Sequence, residues 1–367
     1  MSGARGRGTP PSPDPSPDLA RGPVPDAGPD AAEIFEAYRR RLFGLAYRML
    51  GSVAEAEDVV QDAFLRWLAA DRAGVARPGA WLATAATRLC LDRLRAARRA
   101  RALYVGSWLP DPLPDAAPDL PPDLPTDLPP HMPPHLPRGA FREEPPDPAP
   151  GPDVALERAE AVSLALMLAL DRLGPAERAA FLLHDVFGAR FADIAATLGR
   201  TEAGCRQLAA RARARLADAA PSVPRAAAPS DPEAARIADA FFAAARSGDA
   251  GALAALLAEG AALVSDGGGR ARAALNPILG RDRVARFFAG IAAKRSRLYT
   301  DAAPVLARRL TLNGLPGLLS LGADGALQTL SVEIAAGRVV AVYMTRNPHK
   351  LAHLRAYLPE NAPAPPS

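Results

Sequence analysis

Ser52-Val53-Ala54-Glu55-Ala56-Glu57-Asp58-Val59-Val60-Gln61-Asp62-Ala63-Phe64-Leu65-Arg66-Trp67 is the stretch on which the reading of this chain turns. Ser52 followed three residues later by Glu55 is a helix-start signal, because the hydroxyl and the carboxylate can satisfy the first free N–H groups. Val53, Ala56, Val60, Phe64 and Trp67 then recur at helical spacing and make a buried face, while Glu55, Asp58 and Asp62 line an exposed one. A second helix, opened by Pro78, turns Trp81, Ala85 and Leu89 inward. It carries Arg88, Arg93, Arg95, Arg98, Arg99 and Arg101 against a single acid, Asp92. Either face alone reads equally well as a solvated surface. Six arginines between positions 88 and 101 nevertheless repel one another unless a polyanion relieves them, and nucleic acid is the natural one.

Composition bounds the rest. At 367 residues and 49% hydrophobic content there is core material for two or three domains. The net charge is only +4 with pI about 9.4, so the basic residues, almost all Arg with Lys only at 294 and 350, act through clustering. Cys90 and Cys205 sit inside helical patterns without metal-ligand neighbours, so no disulfide, zinc site or other cofactor is expected. No apolar run is long enough for a membrane span and the N-terminus lacks a signal-like segment, so a cytoplasmic protein is expected.

The run Ala54 to Trp67, followed by Trp81-Leu82 and Thr87-Arg88-Leu89-Cys90-Leu91-Asp92-Arg93-Leu94-Arg95, resembles region two of bacterial sigma factors of the extracytoplasmic-function group. The resemblance implies that the acidic helix docks on the RNA polymerase clamp and that the arginine helix captures the melted minus-ten element. It puts Asp58, Gln61, Asp62 and Phe64 toward polymerase, and Trp81, Arg88, Arg93, Arg95 and Arg98 near promoter DNA.

Working outward, residues 1–30 are a Pro-, Gly- and Asp-rich tail that cannot offset the entropy of ordering. In the first helical domain, 31–103, Ile34, Tyr38, Leu42, Leu45 and Met49 make an amphipathic helix with Arg39, Arg40, Arg41 and Arg48 outside its stripe. Residues 104–152 are a linker, acidic and dense in proline from 110 onward, where proline blocks helix and sheet. It reads either as a plain spacer or as a charged strand along the polymerase's nucleic-acid path. In the second helical domain, 153–218, helices are expected over 153–172 and 176–187. A helix-turn-helix follows: Ile194, Ala195 and Leu198 hold its first helix, Gly199 makes the corner, and Cys205, Leu208 and Ala209 bury its second. An ordinary three-helix bundle can imitate this pattern. Residues 156 to 216 nevertheless resemble sigma region four, which reads the minus-thirty-five element and implies DNA contacts by Arg200, Thr201, Arg206, Gln207, Arg211 and Arg213.

After a linker at 219–230 the pattern changes. Over 231–346 three helices, the second running through Leu253, Leu256 and Leu257, precede four period-two strands, which reads as an α+β cone with a curved antiparallel sheet. Its order, with Ser247-Gly248-Asp249 and Gly280-Arg281-Asp282-Arg283-Val284, resembles the SnoaL-like branch of the NTF2-like fold, and 347–367 is a tail. The fold class is therefore multidomain: two all-α domains, then the cone. Catalysis would need a His or carboxylate on the sheet's inner face; Glu333 is the main ionisable strand residue, so no catalytic residue is assigned.

Trp108-Leu109-Pro110-Asp111-Pro112, Asp266-Gly267-Gly268-Gly269-Arg270 and Asn347-Pro348-His349-Lys350-Leu351 resemble the linker, loop and tail motifs of those sigma factors that carry a fused SnoaL-like domain. Asp111 stands where that family usually has Glu, and His349 where it usually has Asp. The resemblance implies regulation from within by these three motifs, with core RNA polymerase and promoter DNA as partners, no membrane, and no separate anti-sigma protein. Two alternatives stay open: a helix-turn-helix regulator with a ligand-sensing cone, and a bifunctional enzyme relying on Glu333.

Overall fold

The computed structural model describes residues 29–115, 163–219, 231–298, 306–322 and 325–358; the expectations for the N-terminal tail, for 116–162 and for the link at 220–230 lie outside them. Three helices come first, α1 Pro29–Leu50, α2 Val53–Ala69 and α3 Pro78–Ala102. Phe35, Leu42, Leu45, Val60, Trp67, Leu82 and Leu89 form their common core. The Trp67 indole N–H donates to the Ala31 carbonyl at 3.0 Å and its ring meets Trp81 at 5.5 Å, so this large apolar surface is buried with its one polar atom satisfied.

Two expectations change here. Ser52 is the N-cap of α2 but its side chain makes no capping bond. The Val53 N–H and the Ser52 hydroxyl both donate to the Asp111 carboxylate, at 2.9 and 3.0 Å. A carboxylate suits the positive end of a helix better than a hydroxyl does, so the distant residue displaces the local signal. Arg48, expected outside the apolar stripe, is 1% exposed, because the end of α1 packs beneath the second helical domain. Its guanidinium lies over the Phe187 ring at 5.9 Å and donates to the Gly44 carbonyl at 3.1 Å, and burial pushes its pKa down to about 10.

The second domain comprises α4 Leu164–Asp171, α5 Pro175–Phe181, a wide π-type turn Leu182–Val186, α6 Phe191–Leu198 and α7 Glu202–Ala219. The π turn interrupts the helix expected over 176–187. Gly199, left-handed at φ 62°, makes the corner between α6 and α7. The buried residues of both helical domains form one continuous core.

The C-terminal domain comprises α8 Pro232–Ser247, α9 Ala250–Leu256, β1 Leu257–Asp266, β2 Ile278–Leu279, α10 Arg281–Leu298, β3 Leu306–Leu312, β4 Leu315–Leu321, β5 Leu327–Ala335, β6 Arg338–Thr345 and α11 Pro348–Leu351, followed by a 3-10 turn Ala352–Tyr357. The sheet order is β2-β1-β6-β5-β4-β3. It is mixed rather than antiparallel, since β1 runs parallel to β6, and β1 starts at the Leu257 assigned from sequence to a helix. A register shift between Leu257 and Ala262 breaks the alternation that would have marked the strand. Phe241, Phe242 and Phe288 of the helices cover Val332 and Val342 of the sheet. A smaller cluster, Leu319, Leu321 and Leu327 with Leu351, Leu354 and Leu358, holds the tail against the strands.

Residues 109–111 are buried, and just beyond them the linker makes a short antiparallel bridge at the sheet's β3 edge. Asp115 donates its N–H to the Thr311 carbonyl at 2.9 Å, Asn313 donates to the Leu113 carbonyl at 2.8 Å, and Pro114 pairs with Leu312 between them. Proline was expected to block sheet; here it occupies a position where the ladder needs no N–H, on an edge, where it is tolerated.

Candidate functional site

On α2, Asp58, Gln61 and Asp62 lie on the solvent side, but the two acids are bridged by Arg93 of α3, with N–O distances of 3.1 Å to Asp58 and 2.9 Å to Asp62. Phe64 is half-buried against Phe35, ring centroids 4.6 Å apart. Leu65 is 57% exposed; sequence reasoning passed over it, although it falls off the apolar stripe and one turn beyond Gln61 and Asp62.

Along α3, Trp81 packs on Trp67, and Arg95 pairs with Asp92 at 2.8 Å. Arg88 is turned toward the second domain: Nε donates to the Thr197 carbonyl at 3.1 Å and Nη2 to the Ala196 carbonyl at 2.9 Å, capping the C-terminus of α6. Beside it the Thr84 and Thr197 hydroxyls are 2.9 Å apart, and Arg77 pairs with Asp193 at 2.5 Å. The reciprocal contact is Arg178 of α5, buried, donating to the Met49 carbonyl at the end of α1 at 2.6 Å and to Asp171 at 3.2 Å. Each helical domain thus caps a helix of the other with an arginine. The Arg98 side chain lies outside the described residues.

The α7 face is arranged otherwise. Arg200, Thr201, Arg206, Gln207, Arg211 and Arg213 are exposed. The Thr201 hydroxyl caps the helix by accepting the Gly204 N–H at 3.1 Å. Arg206 pairs with Glu202 at 2.9 Å and lies over Phe191, Arg211 and Arg215 share Glu177 at 3.3 and 2.5 Å, and Arg213 pairs with Asp185 at 2.7 Å. Such half-exposed pairs contribute ~0.2–1 kcal/mol each, little enough for phosphates to replace the acids.

The three short motifs meet at Asp266, whose buried carboxylate accepts from the Tyr104 hydroxyl at 2.6 Å, the Leu109 N–H at 2.8 Å and Lys350 Nζ at 2.8 Å. Lys350 also donates to the Leu109 carbonyl and lies 4.2 Å from the Trp108 ring centroid and 5.2 Å from that of Tyr104. A buried ammonium is tolerable with this much compensation, from a carboxylate, a carbonyl and two aromatic faces. Asn347 donates to the Tyr104 oxygen at 2.9 Å, and burial, then the Asp266 bond, pushes the Tyr104 pKa up. Gly268, at φ 56°, has no room for a Cβ beside the Asn347 amide, and Gly51, at φ 72°, none beneath Trp108. Gly269 lies against Val105, Arg270 closes the loop by donating its N–H to the Gly267 carbonyl at 2.9 Å, Pro110 is buried, Pro348 opens α11, and Leu351 enters the tail cluster. Sequence reasoning missed Tyr104, which stands outside every motif quoted above.

Glu333 alternates away from Val332, which packs under the helices, and its carboxylate accepts from the Tyr343 hydroxyl at 2.9 Å, so it does not lie on the inner face where catalysis would need it. Among the described residues no group of His, Cys, Asp and Glu could hold a metal ion, and no helix is long and apolar enough to cross a membrane.

Residues 34–100 match the family model for sigma-70 region 2, and 163–216 that for sigma-70 region 4. The chain is 34% identical over 326 residues to the ECF RNA polymerase sigma factor SigJ of Mycobacterium tuberculosis, covering 86% of this chain and 91% of that one. It is 32% identical to a probable ECF RNA polymerase sigma factor, SigI, of the same species, covering 88% and 96%. The crystal structure of the Mycobacterium tuberculosis extracytoplasmic function sigma factor SigJ superposes with a TM-score of 0.60 at 32% identity, covering 88% of this chain and 98% of that one.

Proposed function

Because the chain belongs to the extracytoplasmic-function RNA polymerase sigma factors, which bind core polymerase and direct promoter-specific initiation, we propose that the closed arrangement described above is its resting form. The observation that carries this reading is Arg88: a side chain meant for promoter DNA is bonded to the α6 carbonyls of the same chain. Docking of Asp58, Gln61, Asp62 and Leu65 on polymerase draws the Arg93 bridge apart and frees α3 for the melted strand. Trp81, Arg88, Arg93 and Arg95, with Arg98 further along, then hold that strand, while Arg200, Thr201, Arg206, Gln207, Arg211 and Arg213 hold the upstream element.

The domain limits proposed for these roles are 31–103, 153–218 and 231–346. The cone restrains opening by seating the linker through Asp266 and Lys350, from within the chain. Run-off transcription with core polymerase tests the reading. Added chain should produce initiation at a promoter that core alone ignores, and no initiation beyond that of core alone would overturn it.

A further inference from the structure

The motif cluster at Asp266 holds the linker alone. A different residue touches all the parts that must separate. Asn313 stands at the tip of the β3–β4 hairpin, left-handed at φ 51° and 2% exposed, and belongs to none of the three motifs. Its four polar atoms are all engaged. The backbone N–H donates to the Leu113 carbonyl at 2.8 Å, and the Leu113 N–H returns to its side-chain oxygen at 2.9 Å. Its side-chain NH2 donates to the Tyr47 hydroxyl of α1 at 2.7 Å, and its carbonyl accepts the Leu164 N–H, which opens α4, at 2.9 Å. Tyr47 is itself fully buried and donates onward to the Asp111 carbonyl at 2.5 Å.

We propose that Asn313 is the latch by which the cone holds the first domain, the linker and the second domain closed at once, an inference that rests on the closed form being the resting one. The chemistry restricts the residue type. The position needs a left-handed backbone and a short side chain that both donates and accepts, which only asparagine combines. Since Tyr47 already donates to Asp111, its oxygen can only accept from Asn313; an aspartate there would set two acceptors against each other in a buried site. Opening any one of the three parts leaves partners of the other two unpaired away from water, which makes release concerted rather than piecemeal.

Asn313→Gly is the informative variant, because it keeps the backbone angle and removes only the side-chain bonds. Tyr47→Phe attacks the same contact from the other domain. Hydrogen exchange on the full chain reads the latch: amides in 104–115, which lose side-chain bonds, should exchange on the order of tenfold faster in either variant, and those at the start of α4, still bonded to the main-chain carbonyl, by less. The double variant should be faster than either single by less than the product of their effects, since the two share the Tyr47–Asn313 bond while each also loses one of its own, to Asp111 or to Leu113. Apparent affinity for core polymerase should rise by a similar factor, as the binding-competent fraction grows. Unchanged exchange at 104–115 in Asn313→Gly would overturn the latch whatever transcription does. Faster exchange with unchanged polymerase affinity would overturn its control of access. Failure of the wild-type chain to support initiation, by contrast, would count against the resting-form reading and leave the exchange result to decide the latch.

Discussion

The arginines of α3 and of α7 differ in number, six against four, and some of them differ in where their partners lie. Arg211, Arg213 and Arg215 of α7 pair with Glu177 and Asp185, and Arg206 with Glu202, all within the second domain. Arg88 of α3, and Arg77 just before it, reach into that second domain instead. The α7 face is therefore available whether or not the domains separate, while on α3 Arg88 is released only when they do, Arg93 and Arg95 being paired within the first domain. On the proposal made above, Arg88 is the conditional part of the basic surface, and the linker and the cone set the condition.

The largest expected effect comes from breaking the condition. Asp266→Ala leaves Lys350 buried without its counter-ion and should cost ~3–5 kcal/mol in the seating of 104–115. Affinity for single-stranded minus-ten DNA should rise while affinity for upstream duplex stays level; equal changes on both probes would erase the contrast. Next is Arg206→Ala: if that side chain reads a base as proposed, its loss should cost ~1–3 kcal/mol of upstream-element affinity and leave closure, read by hydrogen exchange, untouched.

The smallest effect is one of pH. Burial pushes the Asp115 carboxyl, which accepts the Gly314 N–H at 3.0 Å, from 3.8 to about 6. The seated linker binds a proton that the released linker has already lost, so seating weakens as pH rises from about 4 to about 6 and is level above that. Proteolysis within 104–115 should be slower at pH about 5 than near neutrality, and Asp115→Asn should flatten the difference.

Helix periodicity over several turns made α1, α2, α3 and the α6–α7 corner legible, because amphipathic repetition is a local signal. The three short motifs also came through, by resemblance, but not their meeting at Asp266. What stayed hidden depends on distant partners. Ser52 and Glu55 spelled a cap that Asp111 fills instead, and Arg48 read as solvent-facing because nothing in its own helix announces Phe187 above it. The strand β1 was lost to its bulge. Asn313 read only as an outward-alternating residue at the end of a strand, since its role lies in Tyr47, Leu113 and Leu164, each from another part of the chain.

The Thr84 and Thr197 hydroxyls, 2.9 Å apart across the two helical domains, offer the most direct test. In a Thr84→Cys/Thr197→Cys chain, an oxidised crosslink holds α3 on α6. Run-off transcription with core polymerase should be lost in the oxidised chain, with upstream duplex binding retained, and should return on reduction. Initiation by the crosslinked chain at the reduced chain's level would contradict the claim that the domains must part.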